Sequence, residues 1–289
     1  MKSKDWLAFI LLGTIWGSSF LWIKIAVQEV GPILLVALRL LFGVLTLLVV
    51  TLFAPPEWPR RRQIWVNLML LGIINNAIPY SLISWGEQYI DSAVAAVLNS
   101  TTPLFTMIIA HRFLTDDRMT SQRIFSLLMG FAGVFILLSK DLAAGFHGSV
   151  AGQLAVLLAS VSYAISSVFA RRTTKGLDQT IQAIVPLIGA DVVMWSLASA
   201  ADAPITLPAI RLTWVAILWL GVMGTGLAFL LYFYLLHSVG PTRTALVTYV
   251  FPLVAVILGV IFLNEGLDWQ LVAGAVLIIA SVVLVNRRS

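Results

Sequence analysis

Residues 91–116 read DSAVAAVLNSTTPLFTMIIAHRFLTD, and residues 240–265 read GPTRTALVTYVFPLVAVILGVIFLNE. An offset of 149 sets Ala96 over Ala245, Asn99 over Thr248, Pro103 over Pro252, Leu114 over Leu263 and Asp116 over Glu265. The segments before them repeat as well: LGIINNAIPYSLISWG at 71–86 matches LGVMGTGLAFLLYFYL at 220–235, and Ser18-Ser19 matches Ser166-Ser167 after a one-residue slip. Each unit carries five apolar runs. Five is odd, so in a bilayer the second unit enters from the opposite face. Inverted repeats of this kind build carriers that alternate access to a midplane site.

Sixty per cent of the residues are hydrophobic, 11% are charged and the mean hydropathy is +0.98. These values exclude a water-soluble domain of this length. Ten runs reach the roughly 18–25 residues that cross an apolar core about 30 Å thick: Trp6–Val27, Ile33–Phe53, Ile64–Gly86, Ala93–Phe113, Gln122–Ser139, Val150–Arg171, Thr180–Ala200, Thr213–Leu236, Thr242–Leu263 and Trp269–Asn286. The first run is full length and reads as a span rather than a cleavable signal. The expected fold is an all-α polytopic membrane protein. Its ten transmembrane helices form a five-helix repeat at 1–140 and an inverted one at 149–289 around a central cavity. The absence of cysteine removes disulfides, thiolate metal sites and thiol chemistry.

The net charge of +5 does not point to nucleic acid, because the basic residues are spread along the chain. They sort by side of the membrane instead. Alternate loops hold fourteen on one side: Lys2, Lys4, Arg60, Arg61, Arg62, Arg112, Arg118, Arg123, Arg171, Arg172, Lys175, Arg243, Arg287 and Arg288. The other side holds Lys24, Lys140 and Arg211, and Arg39 falls within the second span. The positive-inside rule then expects both termini in the cytoplasm of a cell bounded by this inner membrane. Trp6, Trp58, Trp65, Trp214 and Trp269 sit at span ends, where interfacial anchors belong.

Catalysis finds no support. His111, His147 and His237 fall at span ends or in loops, without a carboxylate at metal-ligand spacing. There is no HExxH, no nucleophile-elbow serine and no phosphate-cradling glycine loop. No enzyme activity, metal or cofactor is expected.

The third span offers a polar stripe instead. Asn76, Tyr80, Ile83 and Glu87 share one face of an α-helix, and Thr225, Phe229, Tyr232 and Leu236 repeat it. Amides and rings at mid-membrane depth belong against protein or a water-filled cavity, not lipid. Asn76 serves equally as interhelical glue, whereas Tyr80 is bulky for an interface that favours small residues. The fourth span carries Asn99 and Pro103, echoed by Thr248 and Pro252. Each proline frees a carbonyl one turn earlier, and paired interruptions at matching places point to a midplane site; a packing kink is the alternative. Trp16 and Tyr163 sit mid-span as candidate pocket walls, and the Ser18-Ser19 and Ser166-Ser167 pairs read as close-packing residues.

Two ionisable groups lie within spans. Arg39 is roughly 10 Å deep and Asp191 roughly 14 Å deep at 1.5 Å per residue, so the two can form an ion pair. A gate or proton-linked site, and separate exposure to a wet cavity, are the alternatives. The first span carries no acid between Asp5 and Glu29, and no span holds a cluster of Lys and Arg that a phosphorylated anion would need. A near-neutral or zwitterionic small molecule is the cargo such residues suit.

Taken together, WGSSFLWIK (16–24), ALRL (37–40), AAVLNSTTPLFT (95–106), AGVFILLS (132–139), ALVTYVFPLVAVILG (245–259) and NEGLDWQLVAGAVLIIASVVLV (264–285) resemble the EamA-type drug/metabolite transporters. The likeness spans essentially the whole chain. It implies a basket of helices around a central cavity, with the fifth and tenth spans on the outside, and export of small metabolites. The amino-acid exporter branch is the one it most resembles. With the cargo chemistry above, the expectation is a neutral amino acid, aromatic ones included, moved outward by a monomer in the lipid bilayer; an exporter of another small neutral or cationic metabolite, drug or nucleobase, or a non-transporting membrane scaffold, is the alternative. One departure stands out: His111-Arg112 and Asp116-Asp117 occupy the first unit where the second has Asn264-Glu265-Gly266.

Overall fold

A computed structural model describes residues 2–114, 119–144, 148–201, 205–240, 244 and 246–286. Asp116, Asp117, Arg118, His147, Arg243, Arg287 and Arg288 lie outside the described residues. The chain folds into α1 (Ser3–Ala26), α2 (Pro32–Phe53), α3 (Arg62–Gly86), α4 (Ser92–Phe113), α5 (Ser121–Ala144), α6 (Gly148–Thr173), α7 (Gln179–Ala201), α8 (Arg211–Val239), α9 (Leu246–Leu263) and α10 (Trp269–Asn286). Among the described residues nine have the length and hydropathy to cross a membrane, and the shorter apolar α10 follows them. Among the described residues no strand is present. The ten spans expected from the apolar runs are all helical. The start expected for the ninth, at Thr242, falls outside the described residues.

Exposed side chains are apolar where a soluble protein would be polar: Leu128, Phe135 and Ile261 are 65%, 67% and 63% exposed. In water such a surface would aggregate, and in lipid it is the solvent-compatible face. The polar side chains that are buried, among them Ser18, Arg39, Asn76, Thr225 and Ser166, point inward.

Packing runs mainly between the units rather than within them. The first helix of each unit lies in the other: α1 packs on α8 and α9, and α6 packs on α3 and α4. The α2 helix likewise lies against α8, as α7 lies against α3, and α5 pairs with α10. Small residues make the close approaches, as expected between spans. A Cβ on Gly17 would sit 2.7 Å from Cβ of Val254 in α9, and one on Gly72 would overlap the Pro186 carbonyl of α7.

Side chains also tie the ends. The indoles of Trp65 and Trp214, equivalent residues in the two units, donate to the carbonyls of Pro59 and Pro208, each at 2.9 Å. Glu265 accepts from the backbone N–H groups of Ser92 and Ala93 at 2.7 and 3.1 Å, capping the start of α4. Glu29 accepts from Ala209 and Ile210 at 2.6 and 3.0 Å, just ahead of α8; the hydrogen bond from Thr213 and those from Ile210 and Ala209 hold its carboxyl below the ordinary range.

Candidate functional site

Among the described residues, two pairs of helices carry interruptions at matching places. Within α3, residues Ile73–Ala77 form a π-helical segment, and within α8, residues Trp219–Leu227 do the same. The local cause is a loss of ordinary i→i−4 partners. Pro79 has no N–H to offer the Asn75 carbonyl, and Ser162 of α6 donates to the Ile74 carbonyl at 2.6 Å. In α8 the hydroxyl of Thr225 donates back to the Leu220 carbonyl at 2.9 Å, and the Trp16 indole donates to the Gly224 carbonyl at 3.1 Å. Such segments recur at functional sites.

The other pair is α4 and α9. The α4 helix stops at Asn99 and restarts at Thr102, with Pro103 in the first turn of the restart. The Asn99 carbonyl, which Pro103 cannot serve, accepts from the Thr102 hydroxyl at 2.7 Å and the Ser160 hydroxyl at 3.5 Å. The α9 helix opens with a 3₁₀ turn at Leu246–Tyr249 ahead of Pro252.

These interruptions surround a cavity of about 310 Å³. Trp16, Tyr80, Ile83, Asn99, Tyr163, Phe229 and Thr248 line it, so seven of the ten residues expected in a pocket converge. Asn76, Pro103 and Pro252 do not line it. Asn76 is 1% exposed, and its neighbour Asn75 faces the cavity in its place. The reason is the π segment. Its i→i−5 bonding, seen in Ile78 N–H to Ile73 O, inserts one residue per turn, so the residue one turn before Tyr80 is Asn75 rather than Asn76. The prolines shape the wall without forming it, and their neighbours Thr102 and Phe251 supply the surface. Ser19 and Ser167, expected only to permit close packing, line the cavity too.

Rings dominate the interior. The Trp16 ring lies 5.8 Å from Tyr232 and 5.7 Å from Phe251, the latter edge-on at 90°, within the range of favourable aromatic pairs. Arg39 is the one cation on the lining, and no lining residue is a carboxylate among the described residues. Its Nε donates to the Thr225 hydroxyl at 3.1 Å, and its guanidinium carbon stands 3.8 Å from the centre of the Tyr80 ring, a cation–π contact. The expected ion pair with Asp191 is absent: Arg39 turns toward α8 and Tyr80, while one carboxylate oxygen of Asp191 is buried without a partner and Asp191 is not on the lining. Similar depth along two helices did not place the two side chains on facing sides.

A family model for EamA-like transporters matches twice, over residues 4–139 and 150–287. The chain belongs to the EamA-like transporter family. It is a multi-pass membrane transporter. The chain is 30% identical over 253 residues to the uncharacterized inner membrane transporter YedA of Escherichia coli K12, covering 87% of this chain and 80% of that one. It is 23% identical over 278 residues to the uncharacterized transporter YoaV of Bacillus subtilis, covering 95% and 94%. An uncharacterized transporter of Archaeoglobus fulgidus is 26% identical over 291 residues, covering 99% of each chain. A crystal structure 20% identical in sequence aligns over 100% of both chains with a TM-score of 0.70, a likeness of fold.

Proposed function

We propose that this chain exports neutral amino acids, aromatic ones included, across the inner membrane by alternating access. The observation that carries the reading is the lining: a cavity of about 310 Å³ walled by Trp16, Tyr80, Tyr163, Phe229, Tyr232 and Phe251, with Arg39 as its one cation. A volume near the lower end of ligand pockets fits a molecule of amino-acid size, and apolar walls with a few polar groups give it both burial and orientation. A doubly charged phosphorylated cargo would need more cations than one, and a cationic drug would meet Arg39 with no carboxylate to offset it.

Paired interruptions in α3 and α8, and in α4 and α9, support alternation. They give each unit a bendable point beside the cavity, in positions related by the repeat. The family likeness supports the outward direction, the charge asymmetry supports cytoplasmic termini, and the inner-membrane relative supports the location. One chain supplies every residue of the cavity lining, and this supports a monomer as the acting form.

The test is uptake of labelled phenylalanine and leucine into everted vesicles or proteoliposomes. Saturable transport of both is expected; transport of a nucleobase or cationic drug with no amino-acid transport sinks the reading. Reporter fusions after Arg62 and Lys175 should read cytoplasmic, and fusions near Gln88 and Asp268 external.

A further inference from the structure

Two polar groups on the cavity have hydrogen-bonding capacity left over, and they are opposite in kind. Arg39 is 5% exposed, yet only its Nε is engaged by a hydrogen bond, to Thr225. A guanidinium has five N–H donors and no acceptor. Among the described residues no acceptor takes the four on its terminal nitrogens, and no carboxylate pairs with it. Tyr80 holds one face of the group, so its edge remains for a ligand. Burying a cation in a membrane is costly, and an unpaired one is an incomplete site.

Asn99 is the complement. Its side-chain carbonyl oxygen is buried with no donor, and Asn99 lines the same cavity. It ends the first half of α4, where the Val97, Leu98 and Asn99 carbonyls lie at the break and accept from the hydroxyls of Ser100, Thr101 and Thr102, the last two carbonyls also from Ser160 of α6. A helix C-terminus carries partial negative charge, and half-helix ends of this kind hold cations in transporters. With the amide oxygen, it forms an acceptor pole on the cavity that Arg39, a donor-only pole, also lines.

We infer that Arg39 is the seat of a cargo carboxylate and Asn99, at the end of the first half of α4, the seat of its ammonium group. The cargo is then a free α-amino acid with both ends unmodified, its side chain left to the aromatic walls. This assignment rests on the amino-acid reading and narrows it. The carboxylate takes two parallel N–H bonds from the terminal nitrogens of Arg39, and these stay rigid because Thr225 and Tyr80 fix the group from the other side.

The experiment is competition against labelled phenylalanine in proteoliposomes of the full chain. Phenylalaninamide and phenethylamine keep the ring and ammonium but lack the carboxylate; N-acetylphenylalanine and phenylpyruvate lack the ammonium. Each should compete about tenfold to a hundredfold more weakly than phenylalanine, the range for a lost charged hydrogen bond. In Arg39→Gln the preference for phenylalanine over its amide should collapse while the preference over N-acetylphenylalanine remains. In Asn99→Leu the reverse should hold. If either variant fails to fold, the wild-type competition decides alone. An amide that competes as well as phenylalanine overturns this inference and leaves the amino-acid reading standing. Failure of any neutral amino acid to bind overturns both.

Discussion

The indole N–H of Trp16, in α1, donates to the carbonyl of Gly224 at 3.1 Å, in the π-helical segment of α8. A side chain of the first unit thus supplies a hydrogen bond to backbone that has left the ordinary helical ladder in the second. Trp16→Phe keeps the ring and removes the donor. It should lower stability by about 0.5–1.5 kcal/mol, read as a drop in Tm in detergent. An unchanged Tm would mean that water replaces the indole.

The two asparagines of α3 should separate cleanly. Asn75 lines the cavity and accepts from the Ser166 hydroxyl at 2.7 Å, whereas Asn76 is buried behind it with an unpartnered amide nitrogen. Asn75→Ala is expected to weaken cargo affinity, and Asn76→Ala to leave affinity unchanged while shifting Tm by no more than about 1 kcal/mol equivalent. Binding isotherms of both variants check this. The opposite pattern would restore regular α-helical geometry here.

Tyr80 and Phe229 occupy the same position in the two units, and both line the cavity. Truncating either to Ala removes on the order of 1–3 kcal/mol of apolar contact, or at least about a tenfold loss of affinity. The loss should be larger for phenylalanine than for alanine, because only the larger cargo fills the vacated space. Equal losses for the two cargoes, in variants that express at wild-type level, would remove the rings from the binding surface.

Glu87, the residue that follows α3, has 0% exposure, and neither carboxylate oxygen finds a donor. The nearby ammonium of Lys24 donates instead to the backbone carbonyls of Glu87 and Ile90, both at 2.7 Å. Burial pushes its carboxyl well above the ordinary 4.5; Lys24 and Arg39 pull it down and Glu265 pushes it further up. Below the ordinary value the folded and unfolded chains both hold the proton. Above it the unfolded chain releases the proton while the folded chain keeps it, so stability falls as pH rises toward the folded value. Thermal unfolding in detergent across that range should show the decline, and Glu87→Gln should flatten it. A decline of the same slope in the variant assigns the effect to another group.

The helices were legible because each needs a long apolar run and little else. Seven pocket residues were legible because an amide, a ring or a hydroxyl at mid-span has few places to go. Asn76 was misplaced for a definite reason: the π segment depends on Ser162 and on Pro79 acting together, and a regular 3.6-residue period does not register it. Arg39 and Asp191 show the second limit. Depth can be counted along a sequence, but the direction of a side chain depends on how the helices rotate against one another. Glu87, on the same predicted stripe, is off the cavity and fully buried, with Lys24 of α1 bonded to its backbone carbonyl, a contact between helices that the spacing along one helix does not register.

The crossed packing of the units has a consequence for how the protein is made. During synthesis α1 enters the membrane first, yet the surface that receives it, including Val254 beside Gly17, belongs to α9. Until nearly the whole chain has emerged, most of that surface is missing, and α1 is held within its own unit by α4 and by Lys24 on the carbonyls of Glu87 and Ile90. A ribosome that stops after the first unit leaves a fragment in which Trp16 and Arg39 lack their α8 partners, the Gly224 carbonyl and the Thr225 hydroxyl, a natural substrate for membrane proteolysis. Two halves made as separate chains should therefore be short-lived alone and persist when produced together.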